Sequence, residues 1–433
     1  MVGVELLSPA GNFEKLKIAL SYGADAVYGG VSHFSLRIRS GREFTYESFK
    51  EAVRYTHEQG KKIYVTINGF PFNSQLKLLE KHIENMAEMN PDGFIVAAVG
   101  VLKLAKKIAP HIPIHLSTQA NVLNYLDAEI YYEMGVKRIV AAREVSLSDL
   151  KEFKKRLPGL EIEVFIHGSM CFAYSGRCLI SAVQSGRVPN RGSCANDCRF
   201  AYTLYAQNEE SGTLFRIEQS AEEGTYIFNA KDLNLMPHIK EILDSGVVDA
   251  LKIEGRTKSP YYTAASANAY RKAIDGYYAD KFDLASYQKE LESIKNRGFS
   301  EGYLIQRPYE RNNTQNTTST LLEGTHQVYG EVNEDGVSFK AKDKVEVGGV
   351  YDILTHTMPT ACDNENGRIW EEDGMWKICF SKLTSVSGKA YEAVHSGNTN
   401  DILLPAPLPP FTFFRKKIDS DLLQKDSKQD DCQ

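Results

Sequence analysis

The 433-residue sequence predicts an α/β fold, namely a (β/α)8 TIM-like barrel with a cysteine-rich insertion after strand seven, followed by a small all-β barrel domain. Three observations lead to this expectation. Short apolar runs alternate with amphipathic runs from residue 4 to about 280. Four cysteines interrupt the last repeat, and short alternating runs broken by Gly, Asn and Asp fill residues 326–405.

Eight short apolar runs in the N-terminal part each have the length of one strand. They are VELLSP (4–9), DAVYGG (25–30), KIYVTIN (62–68), GFIVAA (93–98), PIHLST (113–118), RIVAA (138–142), IEVFIHG (162–168) and DALKIEG (249–255). Continuously apolar strands that alternate with helices are typical of parallel sheets, because both faces of such sheets are covered. Eight repeats favour a closed barrel over an open sheet.

The stretches between these runs have the end signals of helices. NFEKLKIALSYGA and TYESFKEAVRYTHEQG are amphipathic, and several of these stretches end in Gly or Asn, as helix C-termini tend to. Ser146 is a suitable N-cap for a helix over 147–157.

The interval between the seventh and eighth runs is abnormal, because 80 residues separate IEVFIHG from DALKIEG. An insertion there lies at the C-terminal end of strand seven, on the barrel face that carries the chemistry. We expect a catalytic barrel over 1–300 that includes a cassette of residues 167–202. A linker (301–325), a β-barrel domain (326–410) and a tail (411–433) are expected to follow.

Composition limits the class of protein. Hydrophobic residues at 42% and charged residues at 25% are typical of a globular chain. No window approaches ~18 uninterrupted apolar residues, and no basic segment precedes an apolar run at the N-terminus, so we expect a cytoplasmic protein without a membrane partner. The net charge of −5 argues against indiscriminate nucleic-acid coating, and no DNA partner is expected.

The cassette has the opposite charge. Between His167 and Phe200 it contains four arginines, no lysine and one acid, which gives a local charge of +3. A patch of this size is suited to steering an anionic substrate.

Four of the seven cysteines lie in the cassette with the spacing Cys171-x6-Cys178-x15-Cys194-x3-Cys198. Zinc ribbons use two tight pairs, and only the second pair here is tight, so zinc is the alternative interpretation. Iron-sulfur ligation by four thiolates tolerates wider spacing and Gly-rich loops, which favours a cluster. Four buried cysteines that bind nothing are the third possibility.

Polar residues follow or end several predicted strands, where a substrate pocket of a barrel forms. They are Ser8, Tyr28, Asn68, Ser117, Thr118, Gln119, Arg143, Glu144, His167, Glu254 and Arg256. Any single one could instead be a helix N-cap or a loop anchor. Together they indicate a pocket.

The candidate catalytic residues come from this set and from strand seven. They are His167, Glu163, Arg143, Glu254 and Arg256. His167 is the candidate acid or base, and a hydrogen-bonded scaffold role is its alternative. Glu163 shares a strand face with Phe165, so we expect a buried carboxylate that pairs with Lys252 or Arg256, either structurally or catalytically. Arg143 and Arg256 are suited to binding a dicarboxylate bidentately.

Aromatic side chains interleave with the cassette arginines. Phe172, Tyr174, Phe200 and Tyr202 could stack an unpaired base while the arginines hold its phosphates, or they could simply pack on the barrel. The candidate substrate-binding residues are Tyr28, Asn68, Gln119, Arg177 and Arg191. The HExxH and GxSxG motifs of hydrolases are absent from the sequence.

The run E-x-F-x2-G-S-M-C-x4-G-x-C-x-I-S, residues 163–181, resembles the signature of the collagenase-like peptidase family of unknown catalytic type, which contains the PrtC-type proteins. The opening ELLSPAGNFEKLKIALSYGADAVYGG and the run RGSCANDCR are also typical of it, and the resemblance covers nearly the whole chain. Within the family the sequence most resembles PrtC-type proteins of epsilon-class proteobacteria.

The family name implies a protease, whereas better-understood members are similar in sequence and hydroxylate uridine in tRNA, cytidine in ribosomal RNA or the ubiquinone ring. The resemblance implies a [4Fe–4S] cluster on Cys171, Cys178, Cys194 and Cys198, and prephenate in place of molecular oxygen. We therefore expect an enzyme that hydroxylates a tRNA wobble uridine at C5, with tRNA and a small prephenate-like oxygen donor as partners. A collagenase-like peptidase is the alternative, and a non-catalytic member that the cluster only braces is a third interpretation.

Overall fold

The computed structural model describes residues 3–31, 34–36, 43–217, 228–306, 314–316 and 324–418. The chain forms two compact units. The first comprises residues 1–288 with 296–322, and the second comprises 289–295 with 323–433. Each unit has a sheet system of its own.

The described part of the first unit contains twelve strands. They are β1 (Glu5–Pro9), β2 (Ala26–Gly29), β3 (Lys62–Ile67), β4 (Gly93–Val96), β5 (Ile114–Leu116), β6 (Arg138–Val140), β7 (Glu161–Gly168), β8 (Leu204–Gln207), β9 (Leu214–Ile217), β10 (Asp232–Asn234), β11 (Ala250–Ile253) and β12 (Phe299–Ser300). Strands β1 to β7 pair in parallel in chain order, and β11 pairs in parallel with both β7 and β1. The ring of eight parallel strands closes, so the predicted barrel is confirmed.

Helices cover the outside of this barrel, as parallel strands require. They are α1 (Phe13–Ser21), α2 (Tyr46–Glu58), α3 (Leu76–Glu88), α4 (Val99–Ile108), α5 (Tyr125–Glu133), α6 (Leu147–Arg156), α8 (Ile239–Asp244) and α9 (Pro260–Tyr278). Two further helices are α7 (Ile180–Ser185), which lies in the cysteine-rich insertion, and α10 (Leu284–Glu292), whose residues are divided between the two units. Ser146 accepts a hydrogen bond from the backbone N–H of Asp149, which confirms it as the N-cap of α6. Among the described residues, no helix is both long enough and apolar enough to span a bilayer.

The cysteine-rich insertion leaves the barrel directly after β7, as predicted. It contains α7 and the β8–β9 hairpin, and the chain then returns along β7 as the antiparallel strand β10 before β11 begins. Its short turns need left-handed backbone at several positions, including Gly192 (φ 85°) and Asn196 (φ 63°). Gly and Asn adopt this conformation at low cost, so the local sequence suits the loop.

An ion-pair network lies inside the barrel. Glu163 on β7 is fully buried and accepts a hydrogen bond from Lys252 on β11 at 2.7 Å and from Arg138 on β6 at 3.2 Å. The expected partner Lys252 is therefore confirmed. The other expected partner, Arg256, is wrong, because Arg256 lies beyond the end of β11 and pairs with Glu43 at 2.8 Å.

Arg138 extends this network toward the N-terminal ends of the strands. Its guanidinium contacts Glu5 at 2.6 Å and Glu161 at 2.9 Å, and the Tyr64 hydroxyl donates to Glu5 at 2.9 Å. Burial alone would raise the pKa of Glu5, but the hydrogen bond and charge of Arg138 outweigh burial and hold that pKa below its usual range. The network thus favours the ionised form of the Glu5 carboxylate.

The second unit is an all-β domain, as predicted. Its strands are β13 (His326–Val332), β14 (Ser338–Ala341), β15 (Val345–Glu346), β16 (Val350–Leu354), β17 (Cys362–Asn364), β18 (Gly367–Glu372), β19 (Met375–Phe380), β20 (Leu383–Thr384), β21 (Ala390–Tyr391), β22 (Ala393–Val394), β23 (Ile402–Leu403) and β24 (Phe413–Lys417). Eight of them form one antiparallel sheet in the order β17-β18-β19-β16-β24-β13-β14-β23. Phe339, Phe380 and Phe414 pack together in its core.

The domain boundaries differ from the expected ones at two places. Residues 314–316, inside the expected linker, instead belong to the first unit, because they pair with 229–231 and Asn316 is buried. Strand β24 lies in the region expected to be a tail, because Phe413 and Phe414 are buried between β13 and β16. The rest of the expected tail, 419–433, and linker residues 307–313 and 317–323 lie outside the described residues.

Replacing Lys252 with methionine tests the interior network. The change leaves the buried Glu163 carboxylate with Arg138 as its remaining charge partner, and breaking a buried pair costs about 3 kcal/mol or more. We expect that loss in the free energy of urea unfolding, followed by far-ultraviolet circular dichroism, since helices α1 to α9 belong to the first unit.

The matched control is Lys137→Met. Lys137 pairs with Glu161 at 3.2 Å at the surface, so its loss should cost less than about 1 kcal/mol. Equal stabilities of the Lys252→Met and Lys137→Met variants would contradict a stabilising role for the interior pair.

Candidate active site

A cavity of about 980 Å³, including its open mouth, lies at the C-terminal ends of the barrel strands. Barrel strands and the loops after them line one part of it with Tyr28, Leu36, Thr66, Asn68, Ile95, Ser117, Thr118, Gln119, Val140, Arg143, Phe165, Lys252, Glu254 and Arg256. The cassette lines the other part with Cys171, Phe172, Ala173, Ser175, Gly176, Cys178, Ile180, Pro189, Cys194 and Cys198. The barrel and the insertion thus enclose one site.

Lys252 carries charge to the inner wall of this cavity. Its ammonium lies 4.3 Å from the ring centroid of Tyr28 and 5.5 Å from that of Phe165, while it donates to the buried Glu163. The Tyr28 hydroxyl donates to the carbonyl oxygen of Ile253 at 2.9 Å, and burial raises the pKa of Tyr28 well above its usual range. The wall therefore presents a neutral phenol beside a fixed cation.

Arg143, after β6, is the second cation of the cavity. Its guanidinium stacks over Phe165 at 4.5 Å, and one of its terminal nitrogens lies 3.7 Å from Glu254. The Nε of Arg143 is buried and has no hydrogen-bond partner among the described residues. A planar guanidinium with an unused buried donor is suited to a carboxylate or a carbonyl of a bound ligand.

Arg256 also lines the cavity, but part of its guanidinium is held by other residues. One terminal nitrogen contacts Glu43 at 2.8 Å, Ser35 at 2.7 Å and Thr66 at 3.2 Å. The structure therefore brings Arg143 and Glu254 into direct contact, whereas Arg256 sits in a separate hydrogen-bonded group.

Asn68 and Gln119, two of the candidate substrate residues, both line the cavity. Asn68 accepts a hydrogen bond from the backbone N–H of Leu36 at 3.3 Å. The side-chain oxygen of Gln119 is buried without a partner among the described residues, so it is available to a ligand donor. A Cβ at Gly176, where φ is 77°, would lie 3.0 Å from the Gln119 amide nitrogen, which explains the glycine there.

Arg177 and Arg191 do not line the cavity. Arg191 lies over the ring of Phe72 at 4.3 Å and donates to the side chain of Gln75 at 3.0 Å. Arg177 donates to the backbone oxygen of Gln119 at 3.0 Å. Both arginines thus fasten the cassette to the loops after β3 and β5.

Glu144 forms another attachment of the cassette to the barrel. Its carboxylate accepts hydrogen bonds from the backbone N–H of Ser175, at 2.6 Å, and from the Ser175 hydroxyl. Ser175 is buried and has a left-handed backbone with φ 41° and ψ 35°. Such a conformation is costly for serine, so the two hydrogen bonds hold a strained turn beside Cys171 and Cys178.

The four cassette cysteines all line the cavity and are free thiols. The Cys178 sulfur accepts a hydrogen bond from the backbone N–H of Ile180 at 3.3 Å, which is the type of contact that stabilises a thiolate ligand. Burial raises the pKa of the Cys178 and Cys198 thiols, and a bound cation would reverse that effect. The donor set therefore fits a thiolate-ligated metal group.

These thiols line one cavity and do not converge on one point. Within the described residues, no three histidine, cysteine or acidic side chains are grouped closely enough to hold a single metal ion. Zinc holds each thiolate sulfur at about 2.3 Å. A four-iron cluster instead meets its four thiolates at different iron atoms.

His167 and Glu163 lie outside the cavity lining. His167 is buried among Tyr262, Tyr270 and Phe299, with ring centroids 5.6 to 5.8 Å apart. Burial lowers the pKa of His167 to about 4, so its ring is neutral near pH 7. Glu163 acts on the cavity through its contact with Lys252.

Several cavity residues were missed from the sequence. The sequence pattern predicts Lys252 only as an ion-pair partner, although its position in a barrel strand, two residues before Glu254, also indicates a cavity residue. Thr66 and Phe165 lie inside strands, where sequence alone does not tell inward from outward faces. No sequence pattern indicates the role of Ser175, because that role depends on a left-handed backbone turn.

A closed (β/α)8 barrel with four free thiols over its C-terminal mouth defines the class of this protein. The chain belongs to peptidase family U32, whose family model matches residues 11–314. The family resemblance of the sequence motifs is thereby confirmed.

The relatives include tRNA hydroxylation proteins and a collagenase. The chain is 58% identical over 417 residues to tRNA hydroxylation protein P of Helicobacter pylori (strain ATCC 700392 / 26695). The aligned residues make up 96% of this chain and 99% of that protein. The chain is 36% identical over 393 residues to tRNA hydroxylation protein P of Escherichia coli K12, covering 81% and 86%. It is 30% identical over 314 residues to a collagenase of Porphyromonas gingivalis, covering 70% and 73%.

Replacing Glu144 with alanine tests the attachment of the cassette. Loss of hydrogen bonds to a charged group costs about 1.5 to 3 kcal/mol, and proteolysis follows the population of the locally opened form. We expect trypsin to cleave at the cassette arginines about tenfold faster or more, as measured by mass spectrometry of timed digests.

Glu152→Ala, on the exposed face of α6, is the control and should leave the cleavage rate unchanged. If Glu144→Ala were cleaved at the wild-type rate, the Glu144–Ser175 contact would not be what holds the cassette in place.

Proposed function

We propose that this protein is an iron-sulfur-dependent RNA-modifying enzyme that hydroxylates a tRNA wobble uridine at C5. The observation that carries the proposal is the single cavity in which four free thiols face the polar ends of the barrel strands. The names of the Helicobacter and Escherichia relatives support a tRNA substrate. The reduced state of clustered thiols suits the cytoplasm as the place of action.

The cluster would be held by Cys171, Cys178, Cys194 and Cys198. When bound, it would supply redox or Lewis-acid chemistry to a ligand in the adjoining cavity. The lack of a grouping for a single ion among the described cysteines supports a cluster over zinc, which requires four ligands about one ion. The protein contributes the shape of the site, the positions of its ligands and the exclusion of water.

The size and lining of the cavity suit a nucleobase together with a small donor. Ligand pockets commonly measure about 300 to 1,000 Å³. The buried oxygen of Gln119 can accept from the N3–H of a uracil, and the neutral Tyr28 offers an aromatic surface beside it. A base inside this cavity must leave its stack, as in other enzymes that modify bases.

Exposed aromatic side chains of the cassette support an RNA substrate. Phe172, Tyr174 and Phe200 are 48%, 50% and 52% exposed. Apolar rings of this size are usually buried, so three of them in one exposed segment indicate a surface for a partner. Unpaired RNA bases stack on such rings. Tyr202 differs, because its hydroxyl donates to the backbone oxygen of Asp197 at 2.8 Å.

Arg143 is the residue best placed to hold a carboxylated oxygen donor such as prephenate. It has a buried unused N–H, and its ring contact with Phe165 fixes the plane of the guanidinium. Hydroxylation replaces the C5–H bond of uridine with C5–OH. The donor accordingly loses one oxygen atom and is reduced by two electrons.

The competing function is a collagenase-like peptidase, as the family name and the Porphyromonas relative suggest. A peptidase needs a nucleophile or an activated water beside a base. His167 is the histidine predicted for that role, and it is buried in an aromatic cluster away from the cavity lining. The cavity geometry therefore favours the RNA-modifying function.

Iron analysis of anaerobically purified protein tests the cofactor. We expect brown protein with about four iron and four sulfide per chain for the wild type. The Cys194→Ala variant should lose most of both, because it removes a thiolate ligand. Cys379→Ala in β19 of the second unit is the control and should retain the wild-type content. Colourless wild-type protein with one tightly bound zinc would overturn the cluster.

Nucleoside analysis of tRNA tests the reaction. A deletion strain should lack a hydroxylated uridine, and a plasmid with the wild type or Cys379→Ala should restore it. Cys194→Ala should not restore it, because that thiol belongs to the site. An unchanged nucleoside profile in the deletion strain would reject the proposal. Gelatin cleavage that persists through purification and disappears in Cys171→Ala would favour the peptidase.

A further inference from the structure

A second cavity of about 830 Å³, including its open mouth, adjoins the first. The two share Leu36, Cys194 and Glu254 in their walls. The second cavity is also lined by Ser169, which follows β7, and by residues 255 and 257–258, which follow β11. These are the ends of the seventh and eighth barrel strands, where (β/α)8 barrels commonly bind phosphate.

Three cationic side chains face this second cavity, namely Arg199, Lys258 and Arg297. Arg297 is buried and forms a short ion pair with Asp232, and Lys258 lies 3.8 Å from the same carboxylate. Arg199 forms no ion pair and no side-chain hydrogen bond with any residue that the structure describes. Asp232 thus pairs with two of the three cations.

The one acid that lines this cavity among the described residues, Glu254, does not balance Arg199. Glu254 lies 3.7 Å from Arg143, on the side of the first cavity. The charge of Arg199, together with burial, also acts to lower the pKa of Lys258 and of Arg297. The cations therefore repel one another, and an anion between them would relieve that repulsion.

We propose that the second cavity binds a backbone phosphodiester of the substrate RNA, next to the nucleotide whose base enters the first cavity. This inference rests on the proposed function. A nucleotide carries its base on C1′ of the ribose and its phosphate on C5′ or C3′, so two joined cavities suit the two parts. Arginine and lysine are the side chains that hold RNA phosphates, and such contacts fix register without reading sequence.

Binding of an anticodon stem-loop RNA tests this site. Arg199→Gln and Lys258→Gln each remove one cation while the buried Arg297–Asp232 pair stays intact. We expect each variant to bind the RNA about tenfold more weakly, because each loses a charge-assisted hydrogen bond to the phosphate. Fluorescence anisotropy across a salt series should show a slope of log K against log salt that is smaller by about 0.7 per lost contact.

Lys107→Gln is the matched control. Lys107 is exposed in the last turn of α4, and because barrel helices run antiparallel to the strands, that turn lies at the opposite end of the barrel. The control should keep the affinity and slope of the wild type. Arg199→Lys retains the charge and should keep most of the slope, which separates loss of charge from misfolding.

The outcomes separate the site from the function. If wild-type protein does not bind the RNA, the proposed function fails. If the wild type binds while Arg199→Gln and Lys258→Gln match Lys107→Gln in affinity and slope, the phosphate site is overturned and the function stands. If those variants lose affinity for prephenate and keep that for RNA, the cavity holds the oxygen donor and the phosphate site is again overturned.

Discussion

The buried contact between Glu163 and Lys252 is the interaction on which the site depends. It joins β7 to β11 inside the barrel, at the seam where the eighth strand closes the ring. Two ions are costly to bury unless each is paired, so the contact constrains both strands together. Arg138 completes the arrangement from β6.

This constraint reaches the cavity through Lys252. The lysine carries its charge from the barrel interior to the ring of Tyr28, and the chain continues from it to Glu254 and Arg256. The cassette leaves the barrel from the end of β7, the strand that also carries Glu163. The network therefore sets the position of the polar cavity wall and the starting point of the thiol-bearing loop.

The barrel could be predicted because its signal is local. Each strand is a short apolar run, and the repeat order determines the neighbours of parallel strands. The position of the four thiols followed from the gap after the seventh run. The all-β character of the second unit was equally visible, whereas its last strand was not, because Phe413 and Phe414 pair only with strands distant in sequence.

Side-chain partners could not be predicted in the same way. Pairing of Arg138 with Glu163 depends on inward faces that barrel closure determines, and Arg256 turns to Glu43 because it lies beyond the strand. A charge count could not show that Arg191 stacks on Phe72. Nor could it show that Arg199, from the same cassette, is left to face a second cavity.

The most direct measurement of the central claim is a structure of the anaerobically purified protein bound to an anticodon stem-loop RNA with a wobble uridine. We expect one unstacked uracil in the cavity that Tyr28 and Gln119 line, with its C5 edge toward the four cassette thiols. A complex in which every base remains outside that cavity would contradict it.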